Sequence, residues 1–107
     1  LATHLWVSAY LHRLMQEGVY ALVRHKGDAT AGAVAVKLSF MDGEASLFTR
    51  AWGEADRLVW VAEHDRGAEE TVDETVARMR ARDRDLWVVE VEDPRGRHLL
   101  DDPAFAH

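Results

Sequence analysis

Asp85-Leu86-Trp87-Val88-Val89-Glu90-Val91-Glu92-Asp93 holds the densest run of β-branched and aromatic residues in the chain. It predicts a central strand, because such side chains pack well on a pleated surface. Side chains alternate with period two along a strand, which puts Trp87, Val89 and Val91 on one face. That face is wholly apolar and is expected against the main core. Leu86, Val88, Glu90 and Glu92 share the other face, which begins apolar and ends acidic. It is expected to run from covered to wet, with the two carboxylates at a strand end reaching solvent, since buried acids are rare unless paired.

Ahead of this strand, Thr71-Val72-Asp73-Glu74 has the form of a capping box, with further acids at Glu69 and Glu70. It opens a second helix whose inward stripe is Val72, Val76 and Met79. Arg78, Arg80, Arg82 and Arg84 decorate its end, where cations complement the helix dipole. Their spacing of two scatters them around the helix, so they form no basic face. After the strand, Asp93-Pro94-Arg95-Gly96 reads as a type I turn. Arg97 to Leu100 is a short return, and residues 101–107 are a loose tail.

Toward the N-terminus, Thr3 can cap a first helix from His4 to Glu17, with Gly18 as its stop. Val7, Tyr10, Leu11 and Leu14 recur on it at helical spacing. Val19 to His25 reads as a strand, followed by the loop Lys26 to Gly32. That loop has the glycine spacing of a phosphate loop, but Ala33 and Val34 stand where Lys and Ser/Thr are required, and a strand follows it. A hairpin connection is the simpler account. Ala33 to Phe40 alternates cleanly, with Val34, Val36, Leu38 and Phe40 on one face, and predicts a half-buried strand. Asp42-Gly43 marks the next turn, Ala45 to Trp52 the next strand, and Arg57 to Glu63 a fourth. His64 to Gly67 closes this antiparallel meander.

The predicted order is helix, four-strand meander, helix, strand. We therefore expect an α+β fold, a five-stranded, largely antiparallel sheet with two helices packed on one face, over residues 1–100 as a single domain. The place of the last strand stays open: parallel beside a meander strand, or antiparallel at the other edge.

Composition narrows the function classes. The 107 residues hold 48% hydrophobic and 30% charged residues, an ordinary globular balance. A formal charge of −6 argues against a nucleic-acid binder, which needs a basic surface. No apolar run is long enough to span a bilayer, so no membrane partner is expected. With zero cysteines there is neither a disulfide framework nor a thiolate zinc site. Leu1 to His4 lack the features of a signal peptide, and the cytoplasm is the expected address.

No catalytic motif stands out. The six histidines form no His-Glu-x-x-His motif and no i, i+4 pair, although His25, His64 and His98 sit near strand ends and could converge. Ser8, Ser39 and Ser46 lack a nucleophile-elbow context. Trp52 beside Arg50 is the nearest approach to a base-stacking pair. No cofactor and no metal is expected.

Several segments together resemble a family of small alphaproteobacterial proteins, domain of unknown function 1491. They are Leu5-Trp6-Val7-Ser8-Ala9, Ala31-Gly32-Ala33-Val34, Val36-Lys37-Leu38, the Asp42-Gly43 turn and the Asp85–Asp93 strand. The chain departs from the family pattern at Arg84, where proline is common. The family carries no assigned activity, so the resemblance implies a small bacterial protein and no site residues.

Two functions from different classes fit the residues. One is a non-enzymatic binding or protein-interaction module, its partner another protein or a second copy of the chain, met through a sheet edge or an apolar patch. The alternative is a small enzyme or ligand-binding domain whose polar residues converge only in the fold. Lys37, Arg50, His64, Glu90 and Glu92 are then the cluster to inspect.

Overall fold

A computed structural model describes residues 1–106. The elements run α1 (Thr3–Gln16), β1 (Tyr20–His25), β2 (Val34–Ser39), β3 (Glu44–Trp52), a 3₁₀ turn (Glu54–Asp56), β4 (Leu58–Ala68), α2 (Glu69–Arg82) and β5 (Trp87–Glu92). They form one five-stranded mixed sheet in the order β1-β5-β2-β3-β4, an α+β fold. All neighbours are antiparallel except β2 and β5, which run parallel.

The last strand therefore enters the sheet between β1 and β2. The four-strand meander shrinks to β2-β3-β4, and the β1–β2 loop is not a tight hairpin. It spans the entry of β5 and packs onto it. Asp28 N donates to Asp85 O at 3.0 Å, and the Trp87 indole donates to Asp28 O at 2.7 Å. A Cβ at Gly27 or Gly32 would collide with Asp85 O, so these glycines serve a close backbone approach. The same loop caps the start of α1: His4 N donates to Ala29 O, and Thr3 N to Thr30 O. Thr3 does not cap the helix. Ala2 is the N-cap residue, and Thr3 Oγ1 donates instead to Gly32 O at 2.8 Å.

The two helices lie on opposite faces of the sheet rather than on one. Trp6, Val7, Tyr10 and Leu14 of α1 pack with Val34, Val36, Leu38, Trp87, Val89 and Val91. Val72 and Val76 of α2 pack with Ala35, Ala45, Leu47, Leu86 and Val88. Since β4 and β5 point the same way, α2 is the crossover between parallel strands, and it covers the face that α1 does not. Trp87, read along its own strand as core, is core, but it lies under α1 and not against Val72, Val76 or Met79. With a helix on each face and a strand on each side, all six residues of β2 are buried, where alternation alone implied half.

Two boundaries move. β4 continues through His64–Gly67 to Ala68 and leads directly into α2, which starts at Glu69, so no Thr71 capping box forms. The tail is not loose either. Leu100 and Phe105 are buried on the α1 face, and the Trp60 indole donates to Phe105 O at 2.6 Å. The Tyr10 hydroxyl donates to His98 O at 2.7 Å and ties the same strap to α1. His107 lies outside the described residues.

Candidate functional site

Parallel register between β2 and β5 sets Lys37 opposite Glu90 on the α2 face. Lys37 Nζ lies 2.6 Å from Asp73 Oδ1, 2.8 Å from Glu69 Oε2 and 3.7 Å from Glu90 Oε1. Glu90 also accepts from Arg24 Nε at 2.9 Å. Burial alone would pull the Lys37 ammonium down, but hydrogen bonds to Asp73 and Glu69 and the nearby Glu90 charge hold it above its usual range. Glu90 is buried, contrary to the reading of a wet strand end, and it is paired as a buried acid must be. Beside this network lies a cavity of about 300 Å³ that Arg24, His25, Asp73 and Arg80 help to line. Lys37 and Arg24 on its wall are matched by acids within the protein.

The rest of the expected cluster does not join it. Glu92 stands one pleat further along β5 and is half-buried. His64 shares a hydrogen bond of 2.8 Å with Thr75 of α2. His25 lines the cavity by Lys37, while His98 packs on Phe48 on the α1 face, so the three strand-end histidines stay apart. Among the described residues, no group of three or more His, Asp or Glu side chains could hold a metal ion.

Arg50 is on the other face. Its guanidinium carbon lies 4.6 Å from the centre of the Trp6 ring and 4.7 Å from that of Trp60. Three buried side-chain donors lack a partner among the described residues: Arg50 Nε, Arg50 Nη2 and Trp6 Nε1. Burial lowers the pKa of this guanidinium, although an arginine stays charged in a protein.

The backbone around Arg50 is split. The β2–β3 ladder ends at Val36 and Phe48, whereas β3 continues to Trp52, paired there only with β4. Beyond the ladder's end the two strands diverge around a cleft of about 740 Å³. Ala31 to Val34 form one wall, Thr49, Arg50 and Trp52 the other, and Leu58, Met79 and Leu86 add apolar surface. Trp52 is 72% exposed at its rim. Sequence reasoning had both Arg50 and Trp52 in view but could not see the split, because register is a property of strand pairs. Strand length gave no signal either, since Ala33–Phe40 and Ala45–Trp52 read as equally long and only the structure shortens β2 to Val34–Ser39 and extends β3 over Glu44–Trp52.

A family model described as protein of unknown function (DUF1491) matches residues 1–101. The chain belongs to this family. A crystal structure of a DUF1491 protein from Caulobacter crescentus is 39% identical, covers 96% of this chain and 97% of its own, and superposes with a TM-score of 0.87. A solution structure of a DUF1491 protein from the same organism is also 39% identical, at 96% and 94% coverage and a TM-score of 0.83. A solution structure from A. tumefaciens is 31% identical, covers 86% of this chain and 85% of its own, and has a TM-score of 0.74. No curated protein matches. The kinship extends to the whole fold, and it brings no activity with it. Among the described residues, no helix is long and apolar enough to cross a membrane.

Proposed function

We propose that this DUF1491 protein is a cytoplasmic, non-enzymatic binding module that takes an extended segment of a partner protein into the split between β2 and β3. The observation that carries this reading is the early end of the β2–β3 ladder. It leaves Thr49 to Trp52 paired on one side only and opens an apolar cleft beside them. An extended peptide can add its backbone bonds to such an edge and place alternate side chains in the adjoining surface. The exposed Trp52 supplies the large, rigid contact area common at interfaces. The charged cavity by Lys37 supports an enzyme less well, since its cation is matched by three carboxylates.

The test is to pass native extract over the protein and over Trp52→Glu, and to identify retained proteins by mass spectrometry. A retained protein supports the reading only if a short synthetic segment of it shifts the amide resonances of Ala31–Val34 and Thr49–Trp52. Shifts confined to the β1 edge, or equal retention by Trp52→Glu, would overturn it. A retained segment from the chain itself would make the partner a second copy.

A further inference from the structure

The other partly buried cations have acids built against them. Lys37 has Glu69, Asp73 and Glu90; Arg13 has Glu17 and Asp102; Arg97 has Asp93. Arg50 stands apart, although the chain holds 19 acidic residues against 13 Lys and Arg. A half-buried guanidinium without a counter-charge is costly, and such a group persists in a fold mostly where something else requires it.

From this contrast we infer that Arg50 is the anchor for a carboxylate on the segment that the β2–β3 cleft takes, next to an apolar side chain that packs on Trp52, Leu58 and Met79. The inference rests on the binding reading above and names the chemistry of its ligand. Nε and Nη2 are the two nitrogens on one edge of a guanidinium, and that edge grips a carboxylate through two parallel hydrogen bonds. They are also the two Arg50 atoms left unpartnered, and both are shielded from solvent, so a carboxylate reaches them by displacing the groups that cover that edge. The Trp6 and Trp60 rings, whose centres are 5.7 Å apart, both lie against the guanidinium on one side, at 4.6 and 4.7 Å, and restrict where it can sit. Trp60 has spent its own indole N–H on Phe105 O, whereas Trp6 Nε1 is buried without a partner. Arg50 lines both the large cleft and an adjoining cavity of about 340 Å³, which Thr3 and Trp6 also border. Arg82 and Asp83 also line the cleft and bring opposite charges, so its net excess is the single Arg50 fork, which matches a planar monoanion better than a phosphate dianion.

The experiment follows the Arg50 Nε–H and Trp6 indole resonances of the full chain by ¹⁵N NMR. Three acetylated tetrapeptide probes are added: Thr-Val-Thr-Leu with a free C-terminal carboxylate, the same peptide amidated, and Thr-Val-Glu-Leu amidated. At least one carboxylate probe should shift both resonances and bind roughly tenfold tighter than the neutral amide, the step that ~1.4 kcal/mol produces. Which of the two does so distinguishes a chain end from an acidic side chain. Arg50→Met should erase the preference while leaving the weak apolar binding, and Arg50→Lys should restore little of it, because the fork is lost. The wild-type resonances carry the test even if a variant folds poorly. Equal binding of all three probes, with shifts in the cleft, would overturn the anchor and leave the binding reading standing. A larger response to inorganic phosphate than to either carboxylate would overturn it too. No shift of any cleft resonance with any probe would sink both.

Discussion

Lys37 and Arg50 stand on neighbouring strands, one beneath α2 and the other beneath α1, and the two faces treat their buried cation in opposite ways. Beneath α2 the side chains are small or aliphatic, and Glu69 and Asp73 of the helix close over Lys37 while Glu90 meets it from β5. Beneath α1 the core is aromatic, with Trp6, Tyr10, Trp60 and Phe105 in mutual contact, and Arg50 is wedged among them without an acid. A matched buried charge holds a fold in register. An unmatched one stores binding capacity at a cost in stability. The contrast teaches that burial of a polar residue does not by itself mark a site; the missing internal partner is what sets Arg50 apart from Lys37.

The harshest way to break the comparison is to empty the aromatic face. Trp87→Ala removes a side chain only 4% exposed and also frees Asp28 O. It should cost about 3–5 kcal/mol, much of the stability of a domain this size. Denaturant titration followed by circular dichroism measures it. A near-wild-type midpoint would mean that the α1 face is not the main core.

Next comes the matched cation. Lys37→Met should destabilise by about 2 kcal/mol, less than the full cost of breaking a buried pair because Arg24 still meets Glu90. The Lys37 pKa is raised on folding, so its contribution should be complete at neutral pH and fade only as alkali passes its usual range. Wild type and variant should thus converge in stability at high pH. Parallel curves throughout would show that the ammonium carries no net stabilisation.

Arg50→Met should move stability the other way, by about +1 kcal/mol or less, because an unpaired buried charge gives way to an apolar chain of similar length. Thermal denaturation reads the sign. A loss as large as that of Lys37→Met would make the two cations alike and dissolve the contrast.

A smaller, pH-linked effect separates the faces further. Burial lowers the His98 pKa, opposed only weakly by Asp101, and its Nδ1 accepts from Leu100 N. A depressed histidine binds fewer protons folded than unfolded, so stability should be complete above about pH 6.5 and decline as pH falls below it. His98→Asn, which keeps an acceptor near the Nδ1 position, should flatten the midpoint between pH 7 and pH 5. An unchanged slope would place the acid sensitivity elsewhere.

The smallest effect belongs to a charge on neither core. Arg80 is exposed on α2, and Arg80→Ala should shift stability by less than about 0.5 kcal/mol. A larger loss by the same denaturant titration would show that the Lys37 cavity draws on charges beyond its own carboxylates.

Much of the local structure was legible residue by residue. The alternation of Trp87, Val89 and Val91 against Leu86, Val88 and Glu90 separated the two faces of β5 correctly, as the α1 and α2 cores show. The stop at Gly18, at φ +74°, was visible as a glycine where a helical stripe ends. Of the five polar residues singled out, Lys37 and Glu90 meet, while Arg50, His64 and Glu92 go elsewhere. Nothing local could have sorted them, since Lys37 and Glu90 meet only through the register of strands separated by β3, β4 and α2. Phe105 in a polar tail gave no periodic pattern to read, and only its docking beside Trp6 and Tyr10 shows that it belongs to the core.

By itself, then, residue order determined the elements, the apolar side of each and the α+β class, because hydrophobic period and turn chemistry act over a few residues. It also determined kinship, over residues 1–101. Tertiary structure alone decided that β5 enters between β1 and β2, that the helices take opposite faces, and that β2 and β3 part where Arg50 sits. A single apolar stripe shows that a helix must cover a sheet, but not which face. Pairing and crossover depend on groups far apart in sequence, so the cleft and its unmatched cation came into view only when the chain was folded.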